Sequence, residues 1–310
     1  MSTVPSAETR VPTTTLCLGE ALVDLIAPNP VADLADADAF VPRFGGATAN
    51  IAVTAARHGA RVSLAGAAGD DDWGAWLRDR LEHEGVDVSW FKLAPGVQTP
   101  LALVALSADG EPRYRIYGDP VAGLADALGD ELEIAVANAA GLFLGTNTLV
   151  GAAERALTMR AREVALELER PIVVDPNLRL HRWSSKADAA ASANACVPGA
   201  LLVRTNRAEA TLMTGEDDPE RAAMAMLKAG ARLVVITLGA AGAILRGELR
   251  ADVPGVPATV VSTIGAGDVL MGVLLARLAR AGFYPAAAAA ALREAVAEGA
   301  RACERLGALE

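Results

Sequence analysis

Ser262-Thr263-Ile264-Gly265-Ala266-Gly267-Asp268, followed by the apolar run Val269-Leu270-Met271-Gly272-Val273-Leu274-Leu275, reads as a strand end, a glycine turn and a helix start. Two glycines around one alanine let successive backbone N–H groups point into one concavity, and the helix beginning there adds the positive end of its dipole. Such a site suits a phosphate. Asp268, in the first turn of that helix, is held ionised by the same dipole beside the anion, where it can accept a proton from an attacking hydroxyl. The pattern points to phosphoryl transfer, although Gly-x-Gly-Asp before a helix also fits a tight turn with an acidic first-turn residue. Two commoner phosphate signatures do not compete: the sequence has no Gly-x4-Gly-Lys-Ser/Thr, and Gly265-x-Gly267 lacks the third glycine of the dinucleotide spacing.

Far upstream, Phe44-Gly45-Gly46-Ala47-Thr48-Ala49-Asn50 leads into Ile51-Ala52-Val53-Thr54-Ala55-Ala56-Arg57, an alanine-rich helix whose small residues allow close packing on a sheet. Gly45 and Gly46 open the chain to ligand approach, and Asn50 in the first turn offers an amide donor and acceptor to a polyol. An Asn cap after a glycine turn fits the same residues.

Together the two elements resemble the signatures of the ribokinase-like carbohydrate kinase family, a Gly-Gly-x-x-x-Asn element near the N-terminus and an Asp-Thr-x-Gly-Ala-Gly-Asp element near the C-terminus. Further matches lie between them in the expected order: Gly19-Glu20-Ala21-Leu22-Val23-Asp24, Gly66-Ala67-Ala68-Gly69-Asp70, Thr99-Pro100-Leu101-Ala102, Asp175-Pro176-Asn177-Leu178-Arg179, Asn206-Arg207-Ala208-Glu209 and Thr237-Leu238-Gly239-Ala240-Ala241-Gly242. The ordered set is specific, covers nearly the whole chain and is most similar to fructokinase-like members. It implies a three-layer α/β/α sandwich with a mainly parallel central sheet and a small β-sheet lid. A loose tail over 1–13 would precede a kinase domain over 14–310, with lid segments at about 21–41 and 92–120.

Composition agrees with this class. At 310 residues with 52% hydrophobic content, the chain can bury a large α/β core. The net charge of −10 argues against nucleic acid as a partner, so an anionic nucleotide must be held by local donors. Cys17, Cys196 and Cys303 show no metal or redox spacing, and His58, His83 and His181 are equally scattered. The polar start of the chain carries no apolar signal segment, and the run 286–291 is too short to span a bilayer, so a packed helix and a cytoplasmic protein are expected.

Strands are expected over 16–19, 62–66, 141–144, 172–175, 201–204 and 233–237, alternating with helices over 73–84, 152–170 and 221–229, the pattern of a parallel sheet covered on both faces. The motifs fall mainly at strand C-termini, where open α/β sheets bind ligands. The segments 21–41 and 92–117, the latter with a turn expected at Asp109-Gly110, break the alternation at the places where the family carries its lid. A closing lid would exclude water, a competing phosphoryl acceptor.

Carried over by the resemblance, Asp268 is the general base toward a sugar hydroxyl, and the backbone of Gly265, Ala266 and Gly267 is the anion hole for the transferred phosphoryl. Asp24, Gly45, Gly46, Asn50, Arg115, Tyr117, Asn177 and Arg179 would contact the sugar. Asn206, Glu209, Thr237, Gly239 and Gly242 would serve ATP, and Glu209 would order Mg²⁺ through water. Arg179 could grip a carboxylate bidentately or brace its loop. The family also implies a possible homodimer through the lid.

Three positions depart from the family pattern. Gly118 and Gly123 replace an arginine and an aspartate of the fructokinase lid segment, so a 2-keto-3-deoxygluconate kinase is a competing reading, and a sugar sensor without transfer is conceivable. A nucleoside acceptor would want an aromatic lid, for which only Tyr114 and Tyr117 are offered. Ser262 replaces an aspartate that helps organise a monovalent-cation site, so K⁺ activation is expected to be weak or missing.

Overall fold

Runs such as Leu-Val-Val-Ile at 233–236 are apolar at every position, which suits a strand buried on both faces. The computed structural model describes residues 12–107, 112–129 and 131–309; the expected tail up to residue 11 and the turn at 109–110 lie outside the described residues. The chain opens with β1 (Thr15–Leu18), β2 (Leu22–Ile26), β3 (Val41–Gly45), α1 (Ala47–Arg57), β4 (Val62–Gly69), α2 (Asp72–His83) and β5 (Phe91–Ala94). It continues through β6 (Leu101–Leu106), β7 (Pro112–Tyr117), α3 (Leu124–Leu128), α4 (Glu131–Ala137), β8 (Gly141–Leu144), α5 (Ala152–Glu167), β9 (Ile172–Val174) and α6 (Lys186–Ala195). The last third holds β10 (Leu202–Asn206), α7 (Arg207–Thr214), α8 (Pro219–Lys228), β11 (Leu233–Thr237), β12 (Ala243–Gly247), β13 (Ala251–Val253), α9 (Ala266–Arg280) and α10 (Ala286–Ala302).

Among the described residues, nine strands join in the order β13-β12-β11-β10-β9-β8-β1-β4-β5, with every neighbouring pair parallel except β11–β12 and β12–β13. The period of two sorts the interior strands cleanly. Leu16, Leu18, Leu142, Leu144, Ile172 and Val174 pack on one face with residues of α3 to α8. Cys17, Phe143, Val173 and Leu202 pack on the other under α1, α9 and α10. Helix, sheet and helix layers follow. The alanine-rich α1 is buried from Thr48 to Ala55 because it lies between the sheet and α9. Its approach to α9 needs Gly272, where a Cβ would stand 2.4 Å from Thr54 Cβ and 2.9 Å from the Ile51 carbonyl oxygen.

A separate sheet has the order β3-β2-β6-β7, with β2 and β6 parallel and the outer pairs antiparallel. Its boundaries differ from the expected lid. β5 pairs with β4 at the edge of the large sheet, so residues 92–94 belong to the large sheet, and the first lid segment runs on through β3 to Gly45. One face of the small sheet, with Leu22, Ile26, Ala102 and Val104, packs on Ile264 of the glycine turn.

Candidate active site

Gly265, the residue that precedes α9, has φ 73°. Glycine adopts this without penalty, and a Cβ there would also overlap Ala308 at 2.1 Å. The first N–H groups of a helix have no acceptor within it, and that of Ala266 reaches only the Thr263 carbonyl, at 3.4 Å. Asp268, one turn in, is buried at 6% exposure. Its Oδ2 accepts from Asn50 Nδ2 at 3.0 Å and its Oδ1 from Asn177 Nδ2 at 3.1 Å. The two glycine elements read from the sequence therefore meet directly. Burial pushes the Asp268 carboxyl above its ordinary value, against the pull of Arg179, the Asn50 hydrogen bond and Arg204.

Asn50 was expected to give both halves of its amide to a sugar. One N–H of its amide goes to Asp268, while its Oδ1 is buried without a partner and is free to accept from a sugar hydroxyl. Asn177 holds an unusual φ of 42°, a region that Asn tolerates better than most residues, and this turns its amide onto Asp268.

Gly46 cannot cap α1, and Glu20 does so instead: its carboxylate accepts from the Ala47 N–H at 3.0 Å and the Thr48 hydroxyl at 3.2 Å. Gly46 has φ 96°, and a Cβ there would meet the Glu20 carbonyl oxygen at 2.7 Å. Gly45 answers to a different neighbour. A Cβ on it would strike the Asp24 carboxylate at 2.4 Å, so glycine leaves the space in which that carboxylate sits. Burial first, and then the charge of Asp268, raise the Asp24 carboxyl to about 7, while Arg179 works the other way.

These groups line a cavity of about 590 Å³ with Asp24, Gly46, Asn50, Asn177, Arg179 and Asp268 on its walls. Gly45 touches it only through Asp24. Arg115 and Tyr117 do not line it: on β7 the side chains alternate, Tyr114 and Ile116 face the cavity, and the two expected contacts lie on the opposite face, Tyr117 being 56% exposed. Gly118 and Gly123 do not line it either.

A second cavity of about 680 Å³ adjoins the first and is lined by Asn206, Thr237, Gly239 and Gly242, with Val256, Pro257 and Leu270 adding apolar walls. Gly265 and Asp268 open to the first cavity, Ala266 to the second and Gly267 to both. Asn206 and Glu209 form a reciprocal cap on α7, each accepting from the other's backbone N–H at 2.9 Å. Glu209 is buried, and its second oxygen accepts from Leu178 N–H at 2.8 Å, which excludes a solvated helix start. Among the described residues no group of three His, Cys, Asp or Glu side chains is placed to hold a metal.

The sequence reading missed Glu20, Asn147, Arg182 and Arg204. Asn147 donates to Glu20 at 2.9 Å, and Arg182 bridges Asn147 to Asp119 near the small sheet. Arg204 pairs with the fully buried Asp175 at 3.1 Å. A cation inside the run Leu-Leu-Val-Arg-Thr was the available signal for Arg204, since a strand interior keeps a charge only with a partner. Glu20 was legible from the missing cap at Gly46.

The chain matches a family described as pfkB family carbohydrate kinase over residues 12–310. It is similar to Fructokinase-1 of Oryza sativa subsp. japonica, 34% identical over 263 residues that cover 84% of this chain and 81% of the relative. The crystal structure of fructokinase from Vibrio cholerae O395 with fructose, ADP and calcium ion bound superposes with a TM-score of 0.83 at 28% identity, covering 96% of this chain and 95% of that one. Fructokinase from Xylella fastidiosa with bound ATP gives 0.82 at 26% identity, covering 96% and 94%.

Proposed function

Because the chain belongs to the pfkB family of carbohydrate kinases, we propose that it transfers the γ-phosphoryl group of ATP to a hydroxyl of a small ketose, with fructose the first candidate. One observation carries this reading. The Asp268 carboxylate, held by two amides, stands at the glycine turn where a polar cavity adjoins an apolar one.

A sugar in the polar cavity would meet Asp24, the free Asn50 oxygen and Arg179, and would present one hydroxyl to Asp268. A nucleotide in the apolar cavity would direct its terminal phosphate to the N–H groups of Ala266 and Gly267. Asp268 takes the hydroxyl proton as the oxygen attacks, and the turn stabilises charge already spread over the phosphate oxygens. Bound Mg²⁺ would neutralise part of the phosphate charge. Both Glu209 oxygens already accept a backbone N–H, so the fit is to a hydrated ion ordered through water beside Asn206. A cytoplasmic setting suits the three free cysteines, and a homodimer through the small sheet belongs to the same proposal, with sedimentation as its check.

A second acceptor class is favoured by Arg179. This guanidinium lines the sugar cavity and, among the described residues, makes no ion pair, so it is open to the carboxylate of a sugar acid such as 2-keto-3-deoxygluconate. A screen of neutral and acidic sugars with ATP and Mg²⁺, read by ADP release, separates the two. Arg179→Ala should raise KM for an acid much more than for fructose. Asp268→Asn should lower kcat by about 10²–10⁴-fold. Equal, slow ADP release by wild type and Asp268→Asn with every sugar would sink the kinase reading and leave a sensor.

A further inference from the structure

Arg204 lies where the two cavities join, lines both, and is only 7% exposed. Its Nη1 donates to Asp175 Oδ2 at 3.1 Å and its Nη2 to Thr237 Oγ1 at 3.0 Å. A guanidinium has five N–H donors, and here Nε is buried with no partner at all. The two bonds use one N–H each of Nη1 and Nη2 and leave the second N–H of each for a ligand where the cavities join. The same group is pressed against the glycine turn. A Cβ on Gly267 would stand 2.8 Å from Nη2 and 2.9 Å from Nη1. Gly267 has no positive φ, so a Cβ there would be opposed by this guanidinium, which would have to move, and not by backbone conformation.

We propose that Arg204 is a catalytic residue whose remaining Nη N–H groups contact the phosphoryl group in transit, completing the anion hole from the strand side. The assignment rests on the ATP-dependent transfer described above. In that step the sugar oxygen bonds to the γ-phosphorus and gives its proton to Asp268, while the bond from that phosphorus to the β,γ-bridging oxygen breaks and its electron pair leaves on ADP. A buried cation of fixed orientation stabilises the charge on these oxygens without having to reorganise. Burial opposes the charge on Arg204, but Asp175, Glu209 and Asp268 together outweigh it and keep the guanidinium protonated. Asp175 holds the fork in place and is a positioning residue.

The test compares wild type, Arg204→Met, Arg204→Lys and Asp175→Asn in ADP release, and in calorimetric binding of AMP and of ADP with aluminium fluoride and Mg²⁺. Arg204→Met should lower kcat by about 10²–10³-fold with sugar KM changed less than about threefold. It should bind AMP as wild type does and lose affinity for ADP with aluminium fluoride; Arg204→Lys should recover part of both losses. Asp175→Asn, which loosens the fork without removing it, should lose less. The proposal is overturned if folded Arg204→Met keeps kcat, or if AMP and ADP with aluminium fluoride weaken equally in it, the mark of a brace. Wild type that binds neither nucleotide would overturn the kinase reading itself, and this proposal with it.

Discussion

In the proposed transfer Asp268 must be ionised to take a proton, yet burial raises its pKa, while Arg179, the Asn50 hydrogen bond and Arg204 pull the other way. The raised value moves the acid limb of kcat upward from the ordinary carboxylate range, so activity should fall on acidification at a pH where an exposed aspartate is still fully charged. A pH profile of kcat with saturating sugar measures it. Asp24 carries a stability consequence. Its folded-state value of about 7 against an ordinary 3.8 means that the native state holds the proton more tightly than the unfolded chain. Stability is therefore lost as pH rises from about 4 to 7, by at most about 4 kcal/mol. Asp24→Asn should raise the urea midpoint of the ligand-free protein at pH 8 and change it little at pH 4, while weakening sugar binding. Gly45→Ala should push the Asp24 carboxylate from its place and raise sugar KM by about tenfold with a smaller effect on kcat, as steady-state kinetics would show.

At the scale of elements, the site depends on how closely α1 and α9 approach, because one carries Asn50 and the other Asp268. Gly272→Ala would add a methyl where the Thr54 side chain and the Ile51 carbonyl already stand, parting the helices and costing about 1–3 kcal/mol by the urea midpoint. Activity should fall further than stability, since the 3.0 Å contact between Asn50 and Asp268 spans that seam. β7 marks a limit of reading at this scale. Alternation in Tyr114-Arg115-Ile116-Tyr117 predicts two faces but not which one looks inward, and the aromatic and arginine expected to touch the sugar are on the outer one. Residues 92–94, at the start of the expected lid segment, show the same limit, since only their pairing with β4 assigns them to the large sheet.

Across the whole molecule, the C-terminal segment closes against the glycine turn. The Cys303 carbonyl accepts from the N–H groups of Val261 and Ser262 at 2.8 and 3.1 Å, and Ala308 packs on Gly265. Ser262 is fully buried, and its hydroxyl accepts from Ile264 N–H at 3.1 Å, doing for the turn what a carboxylate would do without bringing a negative charge. Turnover is accordingly expected to change less than about twofold when potassium chloride replaces tetramethylammonium chloride at equal ionic strength. A dependence comparable to that on Mg²⁺ would contradict this.

The sequence by itself determined the layered fold, the glycine turn and the aspartate beside it, because apolar runs, glycine pairs and helix starts act locally and leave a trace in residue order. Tertiary structure decided the rest. Asn50, Asn177 and Asp268 come from three distant parts of the chain, and that the first two steady the third is a matter of sheet order and helix approach. The neighbours that a Cβ on Gly45 or Gly267 would displace, Asp24 and Arg204, are likewise remote in sequence, and only folding brings them within a methyl's width.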